Sequence, residues 1–139
     1  MSLYHTNTSG PNVDAVQAAV RHAAILAKKS KSNVVLYVPA IKNFRHGIIE
    51  SAIGEQAVDA LVEKKHVQIG DVQVMLRTKR RSVGDSSSII VACHLSSDLV
   101  EAAVGALTVG DLIFVPWAPI ERDEYLTAHP DSKQIFPEH

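Results

Sequence analysis

A single cysteine, one tryptophan and no long apolar run set the first limits on this chain. Cys93 alone cannot build an internal disulfide framework. No stretch approaches the roughly 18 apolar residues needed to span a bilayer, and the opening "MSLYHTNTSG" lacks the basic-then-apolar order of a signal peptide. The expectation is therefore a cytoplasmic protein with no membrane partner. Charge of one sign is missing too: 14 basic and 15 acidic residues leave a net charge of −1, so no global field recruits nucleic acid. The phosphate loop GxxxxGK[ST], the dinucleotide signature GxGxxG and the nucleophile elbow GxSxG are all absent. Seven histidines show no HxxxH or HExxH spacing and there is no CxxC, so no metal site is expected and no cofactor is indicated.

What is present suits a packed core. Hydrophobic residues make up 46% of 139 positions, enough for one α/β domain over 1–139, with 1–11 and 130–139 as the segments expected to be flexible. "NVVLYVP", "SIIVACHL" and "DLIFVPW" are continuous apolar runs, the pattern of strands buried on both faces in a parallel sheet. "DVQVMLRT" alternates Val72, Val74 and Leu76 with polar neighbours, the period of a half-exposed strand. The polar "KRRSVGDSSS" after it reads as a hairpin-like connection, which makes that strand an antiparallel edge, with Arg77, Lys79, Arg80 and Arg81 guarding it against sheet-to-sheet pairing. Apolar spacing predicts helices from Val13 onward, over Gly47–His66 with Gly54 as a weak point, from Asp98 to Thr108, and over "PIERDEYLTAH".

Two near-identical heptapeptides, "DAVQAAV" at Asp14–Val20 and "DLVEAAV" at Asp98–Val104, lie 84 residues apart, and the Val-Pro strand ends that follow them lie 77 apart. The seven-residue difference is about two helical turns, so the buried stripe stays nearly in phase. Two β-helix-β half-units follow, with His5 and His94 each ending the strand before its helix. The alternation implies a three-layer Rossmann-like α/β sandwich, with a mostly parallel sheet of about 4–5 strands and one antiparallel edge strand.

In such sheets ligands bind outside the carboxyl ends of the strands, where helix N-termini present free N–H groups. Thr8 and Ser9 lie in a hydroxyl- and glycine-rich stretch after the first strand. Lys42, Arg45 and His46 follow the second, and Ser96 and Ser97 open the helix after His94. These residue types suit an anion: hydroxyls and close-approaching backbone, with cations opposite. Ser96 and Ser97 serve equally as plain helix caps. His94, His46 and His5 are the candidate acid/base groups. Cys93 and His94 point to opposite strand faces and so do not form a nucleophile pair. The leading reading is a domain that binds a nucleotide or other anionic small molecule at the strand ends. The second is a non-catalytic interaction module, a homodimer using Trp117, Tyr125, Ile135 and Phe136, and the third a small enzyme with a histidine acid/base.

Overall fold

The computed structural model describes residues 2–39, 47–78, 89–106 and 110–137. Strand β1 spans Ser2–Thr6, β2 Val34–Tyr37, β3 His66–Ile69, β4 Val72–Arg77, β5 Ile89–Cys93, β6 Asp111–Val115 and β7 Lys133–Phe136. Helix α1 spans Val13–Ser30, α2 Ile48–Ile53, α3 Glu55–Lys64, α4 Ser97–Ala106 and α5 Pro119–Ala128. The seven strands join one sheet in the order β3-β4-β2-β5-β6-β1-β7. Every pairing is parallel except β3 with β4.

The apolar runs became the centre of that sheet, β2-β5-β6. Their residues alternate between two cores: Val34, Leu36, Ile89, Val91, Cys93 and Ile113 face α1, α2 and α3, whereas Val35, Tyr37, Ile90, Ala92, Leu112 and Phe114 face α4 and α5. The direction of each crossover explains this division. From β1 to β2 and from β2 to β4 the chain moves one way along the sheet; from β5 to β6 and β6 to β7 it moves the other way. Right-handed crossovers then require helices on opposite faces. The two similar heptapeptides thus open α1 and α4, one in each helical layer. Helix α1 is fixed at its start by Asn12, whose Oδ1 accepts the Ala15 N–H at 3.0 Å. It is closed by Lys28 and Lys29 in its last turn and left-handed Lys31, where cations complement the dipole.

Three expectations need correction. Among the described residues the sheet has seven strands, not 4–5, because two short edge strands, β3 and β7, were not foreseen. Strand β4 is neither antiparallel to its large-sheet neighbour nor an edge: it runs parallel to β2, and β3 covers its other side. Its alternating burial arises because Val72, Val74 and Leu76 pack under α3 while Gln73, Met75 and Arg77 face the other side. Arg77 is therefore no edge guard; Lys79, Arg80 and Arg81 lie outside the described residues. Finally, the helix over Gly47–His66 is two helices, interrupted at Gly54 with φ +97°, and His66 already belongs to β3. Among the described residues no helix is long and apolar enough to cross a membrane.

Candidate functional site

Strands β2 and β5 are neighbours, and from their carboxyl ends the chain departs in opposite directions along the sheet. Diverging connections leave a crevice between them, because neither helical layer closes over the gap. A cavity of about 470 Å³ occupies this place. Val38 and Pro39 line it from the end of β2, Gly47, Ile48 and Ile49 from the start of α2, Cys93 and His94 from the end of β5, and Trp117 from the loop after β6. Such a volume suits a drug-sized or nucleotide-sized molecule, and a mostly apolar wall with few polar groups is the usual composition of a small-molecule site.

His94 is the polar centre of this lining. Its backbone is left-handed (φ 60°), an uncommon conformation for a residue with a Cβ, held by its N–H donating to the Val115 carbonyl at 2.9 Å. The ring meets Trp117 edge-on, with centroids 4.8 Å apart. Its Nε2 is buried without a hydrogen-bond partner, and burial lowers its pKa below the ordinary histidine value. The ring is thus neutral near pH 7 and has an unused nitrogen. Trp117 remains 47% exposed. The loop after β1 is pinned beside it, since the Gly10 N–H donates to the Trp117 carbonyl. Cys93 backs the wall with no accessible surface, and burial pushes its thiol up to about 12, so it is protonated and unreactive at neutral pH.

His5 sits elsewhere. It points to the α5 side, where its Nδ1 lies 2.9 Å from Ser132 Oγ; the Tyr125 hydroxyl is 2.9 Å from the same oxygen and donates to the Tyr4 carbonyl at 3.2 Å. Both rings are buried, and burial lowers the His5 pKa. The structure therefore does not bring His5 and His94 into one cluster. Thr8 Oγ1 pairs with Thr6 Oγ1 at 2.8 Å. Ser96 Oγ accepts the Leu99 N–H at 3.5 Å, the geometry of a loose helix cap, and Ser97 is the first residue of α4. Among the described residues, the cavity wall includes none of Thr8, Ser9, Ser96 or Ser97. Lys42, Arg45 and His46 lie outside the described residues.

The aromatic tail folds onto its own chain. Tyr125 is 3% exposed and packs on Phe114 with centroids 4.9 Å apart, and Ile135 and Phe136 pack on the core under α1. Only Trp117 of that group stays open. Trp117, grouped with this tail by its sequence neighbours, also lines the cavity, because β6 ends beside β5. Among the described residues no group of three His, Cys, Asp or Glu could hold a metal ion. Comparisons with protein-family models, with curated proteins and with solved structures found no match for this chain.

Proposed function

We propose that this chain is a Rossmann-like binding domain for a nucleotide or other anionic small molecule, held at the carboxyl ends of β2 and β5. The observation that carries the reading is the position of the cavity: it lies where the connections from two adjacent parallel strands diverge, the place where open α/β sheets take their ligands. His94 supports it, because a strained backbone and a buried, unpartnered nitrogen beside a cavity are features that a ligand's hydrogen bond would satisfy. The apolar wall of Val38, Ile48 and Ile49 with half-open Trp117 suits a planar ring. Pro39 and Gly47, both in the wall, bound the stretch that carries Lys42 and Arg45 in the sequence.

Binding rather than catalysis is favoured by the chemistry of the wall. It offers one neutral imidazole and a protonated thiol, and no carboxylate among the described residues. The test is a melting screen over nucleotides and phosphorylated metabolites. A ligand at 100 times its Kd raises stability by about 2.7 kcal/mol, and a panel that leaves the midpoint unmoved at millimolar concentration overturns the reading.

A further inference from the structure

The end of β5 lies between two unlike flanks. In the strand order β2-β5-β6, His94 follows β5, Val38 and Pro39 follow β2 on one side of it, and Trp117 comes after β6 on the other. Ile48 and Ile49 join the β2 side from α2, and all of these residues line one cavity. The wall is thus aliphatic on one flank and aromatic on the other, with an imidazole between them. Among the described residues it carries no charged side chain. A phosphoryl group pressed against Val38, Ile48 and Ile49 loses hydration with no cation in return, which is costly. An uncharged planar ring loses little there and gains apolar contact.

Trp117 offers such a ring a prepared platform. Its side chain is open to solvent, with the residue 47% exposed, while its backbone is held, since the carbonyl accepts the Gly10 N–H. The His94 ring braces the indole, with centroids 4.8 Å apart and planes at 68°. A third ring laid parallel to the indole is therefore steeply inclined to the imidazole, close to the edge-to-face arrangement that aromatic pairs favour. Stacking on the indole does not depend on which base is stacked, because every base has a π-face. His94 supplies the discrimination. Burial keeps its imidazole neutral, with one donor and one acceptor nitrogen, and Nε2 makes no hydrogen bond inside the protein. A ring with polar atoms along its edge satisfies what an all-carbon ring leaves unpaired.

We propose that the cavity takes an uncharged heteroaromatic ring of nucleobase type, stacked on Trp117 with its polar edge toward His94, and that this ring rather than a phosphoryl group carries most of the affinity. The inference rests on the proposed binding function and names the part of the ligand that enters the cavity. Calorimetric titration of the full chain with adenosine, guanosine, cytidine and uridine, their monophosphates, ribose phosphate and inorganic pyrophosphate tests it. At least one nucleoside binds saturably and within about tenfold of its monophosphate, whereas ribose phosphate and pyrophosphate do not bind. Trp117→Leu weakens every nucleoside that binds at least about fivefold. His94→Asn, whose side chain tolerates a left-handed backbone, changes which nucleoside binds best. Nucleotides that bind while all the nucleosides fail, or ribose phosphate that binds as tightly as a nucleotide, overturn the inference in wild-type protein and leave the cavity reading standing. Nucleosides that bind while no phosphorylated compound does so sink the anionic part of that reading and leave the ring in place. Affinities unchanged in Trp117→Leu overturn the stacking, and an unchanged preference in His94→Asn overturns the role of the imidazole. No response to any compound removes both readings.

Discussion

Ser132 bridges two buried rings, and removing its hydroxyl isolates one of them. In Ser132→Ala the Tyr125 hydroxyl keeps its 3.2 Å bond to the Tyr4 carbonyl, but His5 Nδ1 loses its 2.9 Å partner at a ring only 5% exposed. Orphaning one buried polar atom costs about 1–3 kcal/mol, so Ser132→Ala is expected to destabilise by about 2 kcal/mol. Tyr125→Phe leaves the Ser132–His5 contact in place and is expected to cost about 1 kcal/mol. The double variant costs less than the sum of the two, because one Tyr125–Ser132 bond is counted in both. Urea denaturation at pH 7.5 measures all three. The pH dependence has a defined sign. Burial holds the folded-state pKa of His5 below 6.5, so between those two values the unfolded chain binds more protons. The contribution of His5 is complete above pH 6.5 and is lost as pH falls below it, with a slope of at most about 1.4 kcal/mol per pH unit. His22 and His94 shift the same way and steepen the loss. A Ser132→Ala variant within 0.5 kcal/mol of wild type, or wild-type stability that rises on acidification from pH 6.5, refutes the reasoning.

Other expected outcomes follow from single local features. Asn12→Ala removes the side-chain cap of α1 and lowers stability by about 1 kcal/mol in the same denaturation assay. Gly54→Ala meets no atom within 4 Å of the added Cβ, yet its φ of +97° makes the cost one of backbone strain, about 1–3 kcal/mol; a neutral result would show that the α2–α3 junction yields. Cys93, with no accessible surface and a thiol pushed up to about 12, reacts with a thiol reagent at pH 8 only as fast as the fold opens, and immediate stoichiometric labelling contradicts that placement. His94→Gly relieves the left-handed strain at φ 60° and leaves stability within about 1 kcal/mol of wild type while weakening any ligand found in the melting screen.

The central sheet was legible in the sequence because burial on both faces leaves nothing but apolar residues in "VVLY", "IIVAC" and "LIFV". Their common direction followed from the helices between them. The cap of α1 has a local cause, since Asn12, a residue type that caps helices, stands directly before the first apolar repeat and accepts the Ala15 N–H. Strands β3 and β7 were hidden: "HVQI" and "KQIF" have two apolar residues each, and β3 follows the lysines of α3 without a turn signal. Strand β4 shows how a correct pattern supports a wrong inference. Its alternation truly reports one buried face, but an interior strand with a half-buried side alternates as well as an edge strand does. The site was only half legible. That ligands gather at strand ends is a property of the topology, so the general region followed from the strand order. Which residues meet there depends on where each loop lands, and that is why the individual residues of the wall did not follow from the sequence.

The chain's one tryptophan, Trp117, stands at the mouth of the cavity, so its fluorescence reports occupancy there without a label. Titration of the folded chain with nucleotides and phosphorylated metabolites is expected to give a saturable change in Trp117 emission with at least one of them, weakened in His94→Gly. Emission that none of them alters at millimolar concentration, in protein whose denaturation midpoint is also unmoved, contradicts a ligand site between β2 and β5.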